Sequence, residues 1–275
     1  MTFPHSYSRI AFQIALFGLT LNSYAQEGQT GFVQAGISSQ NFHYKETDAQ
    51  GAMLDREDGL LPGVEIAARI RNGRYTSLIT ASLHGGTITY DGQTQGGSSL
   101  TTDTQERIAD VAVSIMRTID PSSTSPRLSA GFGYREWRRD IQPTNFTSGL
   151  YETYRWPYWM LGVNADFLQN GHWKAGLDWR LMRPIYPTIE IEADGFDPLT
   201  LDLGARLSVY VGFPVEYRFR SKQSIVIRPY WQTWFLERSN SKRLYSNGNP
   251  TGLIATEPDS ETVILGITAS LRFTP

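Results

Sequence analysis

Between Leu199 and Phe219 every odd-numbered residue is apolar, while the even positions, among them Thr200, Asp202, Gly204, Arg206, Ser208, Glu216 and Arg218, are mostly polar, charged or small. Successive side chains of a strand point to opposite faces, so this stretch builds one apolar wall and one hydrophilic wall. Its length far exceeds the usual strand of about 5–6 residues. It suits a strand that crosses a bilayer with lipid on one side and water or polar groups on the other. The feature therefore places the chain in a membrane.

The start of the chain points to a bacterial envelope. His5 and Arg9 precede an apolar run from Ile10 to Leu21 that only Gln13, Gly18 and Thr20 interrupt, and Ser23-Tyr24-Ala25 offers small residues where a signal peptidase reads. The expectation is a cleaved leader over residues 1–25, ending near Ala25, and one barrel domain over 26–275. The apolar run falls short of the roughly 17–25 residues a spanning helix needs, and no later run approaches that length. An inner-membrane helical protein is excluded. Mean hydropathy is negative, as it is when each strand carries only one apolar face. The chain has no cysteine, which excludes disulfides, thiolate metal sites and cysteine nucleophiles. A formal charge of −2 lacks the basic footprint of nucleic-acid binding, and no cofactor signature is present.

Turn signals recur at even intervals: Arg71-Asn72-Gly73-Arg74, Asp120-Pro121-Ser122-Ser123, Gln169-Asn170-Gly171-His172 and Arg220-Ser221-Lys222-Gln223. Asn-Gly favours tight hairpins because both residues tolerate positive φ. Longer polar segments lie between them near 46–60, 91–103, 142–152, 187–198 and 239–260. Four turns alternating with five loops require ten strands. The predicted fold is all-β: a closed antiparallel transmembrane barrel, monomeric, with short periplasmic turns and longer extracellular loops. Alternation supports it in the sixth strand (Trp159, Leu161, Val163, Ala165, Phe167), the seventh (Trp173, Leu177, Trp179, Leu181) and the tenth (Val263, Leu265, Ile267, Ala269, Leu271, Phe273). Ile37, Val64, Ile66, Ile79 and Leu83 are weaker anchors for strands one to three. Tyr154, Trp156, Tyr158, Trp159, Trp173, Trp231 and Trp234 are read as interfacial girdles. Pro214 and Pro229 predict bulges or shortened pairing.

The C-terminal Gly266, Ala269, Leu271 and Phe273 resemble the last-strand insertion signal of bacterial outer-membrane proteins, with Thr274 and Pro275 as a departure after the final aromatic. That resemblance implies a bacterial outer-membrane location and the barrel assembly machinery as a partner during insertion. Across the mature chain the ten-strand layout is similar in size and topology to the omptin proteases. The omptins are understood to use an acidic pair and an aspartate–histidine pair at the barrel mouth, and no such pattern stands out in this sequence.

Parity assigns to the lumen Glu65, Arg69, Asp110, Arg135, Lys174, Asp178, Arg180, Asp202, Arg206, Glu216, Arg218 and Arg228, with Arg272 from the last strand. Buried charges of both signs should pair across strands, and about ten strands enclose little free space. Glu190, Glu192, Asp194 and Asp197 are expected to converge as an acidic extracellular mouth that attracts cations, cationic peptides or the divalent ions that bridge lipopolysaccharide. Outer-membrane lipid and lipopolysaccharide are the expected partners. For catalysis the mature chain offers only weak candidates, His84 and Asp91, with Ser82 or Ser114 as hydroxyls near His84; no base–nucleophile order is evident. The leading functional expectation is a non-enzymatic barrel acting as a narrow conduit, surface receptor or envelope-structural protein. The alternative is an omptin-like or lipid-modifying surface hydrolase.

Overall fold

The computed structural model describes residues 30–93, 97–120 and 126–275. The expected leader, its cleavage point after Ala25 and most of the second turn, from Pro121 to Ser123, lie outside the described residues. Ten antiparallel staves form the barrel. The first six are β1 (Thr30–Thr47), β2 (Met53–Asn72), β3 (Tyr75–Gln93), β4 (Ser99–Thr118), β5 (Arg127–Ile141) and β6 (Leu150–Asn170). The seventh stave is split into β7 (Trp173–Pro184) and β8 (Thr188–Ala193). The eighth is split into β9 (Leu199–Asp202), β10 (Gly204–Ala205), β11 (Ser208–Gly212) and β12 (Val215–Arg220). The ninth is β13 (Gln223–Glu237), and the tenth, β16 (Asp259–Phe273), follows an extracellular hairpin of β14 (Lys242–Ser246) and β15 (Asn249–Ala255). First-to-last pairing closes the cylinder, with β1 against β16 from Val33↔Phe273 to Thr47↔Asp259. Closure leaves no sheet edge for lipid to meet.

The wall follows the expected parity. Ile37, Val64, Ile66, Ile79, Leu83, Val113, Phe132, Leu161, Leu265, Ile267 and Leu271 are all exposed on the outer face. The apolar band runs from Leu60 to Ile70 on β2, from Tyr75 to Leu83 on β3, from Val111 to Ile115 on β4 and from Leu128 to Tyr134 on β5. A tilted spanning strand needs only about 9–11 residues. These staves are 15 to 20 residues long, so each continues well past the lipid. The surplus is strand where loop was expected. Most of segment 46–60 is the paired ends of β1 and β2, turned over a short link in which the Asp48 carboxylate accepts from the Gln50 and Ala52 amides at 2.9 and 2.8 Å. Segment 91–103 likewise contains the ends of β3 and β4. Residues polar on both faces read as loop in sequence, yet one face of these extensions is buried.

Two neighbouring staves reverse their facing at one level. In β7 the even residues Asp178, Met182 and Pro184 are buried; past Tyr186, whose φ is +45°, the odd residue Ile189 is buried instead. In the eighth stave Leu201 and Leu203 point inward, Arg206 and Leu207 are both exposed, and Ser208, Tyr210 and Gly212 take over the inner face. Two consecutive outward residues are the mark of a bulge. The unbroken alternation of the sequence is therefore two patterns of opposite facing joined end to end. Phe213 and Pro214 form the further break, where the Phe213 and Gly176 amides donate to Pro229 and Pro214 carbonyls.

Candidate functional site

The lumen inside the lipid band is filled by paired charges. At its periplasmic end Arg272 engages Glu216 and donates to Gln34 Oε1 at 2.8 and 3.1 Å, while Asp166 accepts from Arg127 at 2.7 Å and Lys174 at 3.0 Å. Arg69 lies over the Phe32 ring at 4.5 Å. Midway, Arg228 pairs with Glu65, Arg180 with Asp178, and Arg135 with Asp110 at 3.6 Å. Glu65, Arg69, Asp110, Arg135, Lys174, Asp178, Arg180, Glu216 and Arg228 thus sit in the lumen. Three others do not. Asp202 and Arg206 lie on the outer side of the reversed stave, with Asp202 against Lys242 at 3.6 Å and Arg206 against Glu237 at 2.9 Å. Arg218 is exposed near the periplasmic turn, where its amide donates to the His172 carbonyl.

Glycines let large rings cross this space. A Cβ at Gly133 or Gly266 would come within 2.2 Å of the Tyr158 or Tyr230 ring on the neighbouring stave. Gly266 therefore serves packing, while Ala269, Leu271 and Phe273 line the outer wall of β16, with Leu271 and Phe273 exposed. Above this level Trp156, Trp234 and Tyr158 pack edge-on at 5.1 to 5.5 Å, and Trp137 stacks on Tyr154 at 4.6 Å. Tyr154, Trp156, Tyr158 and Trp234 are nearly fully buried. They form a deck across the barrel, whereas the expected girdle keeps Trp173 and Trp231, which are exposed on the outer wall.

His84 is buried beneath the deck. Its Nε2 lies 3.0 Å from Ser38 Oγ, and its Nδ1 lies 3.3 Å from the Gln40 amide, which also donates to the Tyr230 hydroxyl at 3.0 Å. The hydroxyl at His84 is therefore Ser38, across β2, rather than Ser82 or Ser114. Asp91 does not join it. Seven residues further along β3 and of opposite parity, Asp91 pairs on the rim with Arg56 at 3.0 Å. A serine beside a histidine is a nucleophile–base geometry, but Ser38 lines neither the lumen cavity of about 70 Å³ that His84 borders nor the larger outer groove that His84 also reaches. Substrate pockets are usually about 300–1,000 Å³. The cavity has room for about one or two waters, and buried Gln40 Oε1, Glu65 Oε1 and Arg228 Nε beside it have no protein partner.

Above the deck and beyond the lipid band lies the most unusual constellation. Arg139, 1% exposed, is held by carboxylates from three staves. Its Nη1 donates to Glu152 Oε2 at 2.7 Å and Glu46 Oε1 at 3.1 Å, its Nη2 to Glu57 Oε1 at 3.1 Å, and Asp55 Oδ2 stands 3.9 Å away. Tyr44 lies under the guanidinium at 4.4 Å. Glu106, bonded by Trp137 Nε1, and Glu257, bonded by the Tyr154 hydroxyl, complete the ring. All six carboxyl groups belong to buried residues. Burial raises the Glu106 and Glu257 carboxyls well above their ordinary range, with Glu57 and then Glu46 as the leading like charges. Burial, reinforced by Glu46, pushes Asp55 up to about 9; burial against the opposing pull of Arg139 leaves Glu152 at about 7.

The acidic mouth expected from Glu190, Glu192, Asp194 and Asp197 does not assemble, because the reversal at Tyr186 turns it outward. Glu190 meets Arg155 at 2.6 Å on the outer wall, and Glu192 and Asp194 are exposed. Asp197 accepts from the Asn247 and Gly248 amides at 3.0 and 2.9 Å, clamping the β14–β15 hairpin. The outer wall also carries a groove of about 580 Å³, with Pro62, Val64 and Leu83 at its apolar side and Arg107 and Arg138 at its charged side.

No protein-family model and no curated protein sequence matches the chain. Among solved structures it is similar to the outer membrane protease OmpT from Escherichia coli, with a TM-score of 0.58 and 11% identity over 91% of this chain and 98% of that one. It also matches the translocator domain of the autotransporter NalP from Neisseria meningitidis (TM-score 0.38, 12% identity, 94% and 95% covered). Neisserial surface protein A gives a TM-score of 0.33 and 10% identity, with 90% and 99% covered. The likeness to OmpT is one of fold: a closed ten-stranded barrel of the outer-membrane type.

Proposed function

We propose that this outer-membrane barrel is sealed and non-enzymatic, and that it acts as a surface receptor or envelope-structural protein through its extracellular crown and outer wall. One observation carries the reading: charge pairs, an aromatic deck and the Arg139 ring follow one another through the lumen, so a solute meets side chains at every level. The conduit reading is thereby disfavoured. Purified protein in planar bilayers is expected to give no conductance steps; discrete steps would overturn the proposal.

The outer groove supports lipopolysaccharide as the lipid partner, since it joins an apolar flank to arginines at headgroup height. Insertion by the barrel assembly machinery and removal of residues 1–25 belong to the same proposal. Arg107→Ala should weaken retention of lipopolysaccharide on the detergent-purified protein, read as co-purified lipid. The hydrolase alternative rests on Ser38 and His84. Lipopolysaccharide, phospholipid or dibasic peptide turnover that vanishes in Ser38→Ala would establish a hydrolase in place of a sealed receptor or structural barrel.

A further inference from the structure

We propose that the ring around Arg139 is a proton-dependent latch, in which Glu257 holds the last extracellular loop, residues 238–258, shut over the barrel mouth and lets it go when the ring loses protons. The geometry carries this. Glu257 is the one ring carboxyl supplied by a loop rather than a stave, and it is 6% exposed. The Tyr154 hydroxyl donates to it, its amide donates to Ser239 Oγ at 2.8 Å, and its carbonyl accepts from the Ser239 amide at 3.0 Å. The side chain is thus driven into the ring while its backbone pins the two ends of the loop together.

The titratable groups of the ring it enters come from six staves. They are Tyr44 and Glu46 of β1, Asp55 and Glu57 of β2, Tyr90 of β3, Glu106 of β4, Arg139 of β5, and Glu152 and Tyr154 of β6. One guanidinium cannot balance six carboxylates in a space closed to water. Two buried oxygens, Asp55 Oδ1 and Glu106 Oε1, have no protein donor. Asp55 is 7% exposed and presents its other oxygen to Arg139. The missing ligand is the proton: on Glu106 it bridges to Glu57, and on Asp55 it removes a charge that Arg139, shared and 3.9 Å away, only partly opposes. Charge therefore accumulates as pH rises through about 7, at Glu152, where Arg139 opposes burial, and about 9, at Asp55, where Glu46 reinforces it. Raised carboxyls favour the closed ring at low pH and weaken it as pH rises. Each proton lost to solvent adds a negative charge beside Glu257.

The absence of native cysteine allows a direct test. Spin labels at Gln50→Cys and Ile254→Cys, both exposed sites, report the distance from the first to the last extracellular loop in the full chain. A single short distance is expected at pH 5, and at least half of the molecules should show a longer, broader one at pH 9.5. Glu257→Gln keeps the Tyr154 contact without the charge and should stay closed at both values. Asp55→Asn should move the midpoint upward. An unchanged wild-type distance across the range would refute the latch, and so would Glu257→Gln or Asp55→Asn opening at the same midpoint as wild type.

Discussion

The membrane-embedded lumen and the ring above it bury charge in opposite ways. Within the lipid band each carboxylate meets at least one cation, and Arg228–Glu65, Arg180–Asp178 and Arg272–Glu216 are nearly private pairs. Past the deck, four carboxylates share Arg139, and Glu106 and Glu257 close the ring without a cation of their own. The difference teaches that the lower lumen is a permanent filling, in which every named carboxylate has a cation of its own. The upper ring is neutral only while it keeps protons, and its stability answers to the solvent.

The sharpest way to break the contrast is Arg139→Met. It leaves several carboxyls without a counter-charge, and a loss of about 3–5 kcal/mol is expected from urea unfolding followed by tryptophan fluorescence; a loss below about 1 kcal/mol would show that the ring does not depend on this cation. Arg228→Met should cost about 3 kcal/mol by stranding Glu65, whereas Arg228→Met with Glu65→Met should recover most of it. No single compensating change should rescue Arg139→Met. Stability should next fall by about 2 kcal/mol between pH 5 and pH 9. The sign follows from carboxyls raised in the folded state: their contribution is complete below the ordinary value near 4.5 and lost as pH passes about 7 at Glu152. Glu152→Gln should flatten that slope, and a steeper slope in the variant would assign the titration elsewhere. The smallest effect is expected at the rim. Asp91→Asn removes the exposed partner of Arg56 and should change stability by no more than about 1 kcal/mol.

The barrel was legible because lipid imposes period-two alternation, and Ile37, Val113, Phe132 and Leu271 obey it. The lumen pairs were legible for the same reason, since the opposite parity must be inside. The ring was hidden for a physical reason: beyond the lipid the outer face becomes polar too, so alternation between Lys45 and Glu46, or Arg56 and Glu57, disappears from the hydropathy pattern although the strand continues. The outward turn of Glu190 and Arg206 could not be read, because bulges move facing by one residue without altering the alternation of residue types. Tyr154 and Trp156 were misplaced because an aromatic suits an interface and a crowded interior equally well.

The ring's membership spans the chain from Glu46 to Glu257, and its centre, Arg139, lies between. An incompletely wound sheet, lacking either the first or the last stave, cannot enclose that guanidinium. Arg139 and its acids therefore stay hydrated until the seam between β1 and β16 zips shut. Dehydration of the ring comes last, and a chain halted earlier would carry its most charged region where proteases can reach it.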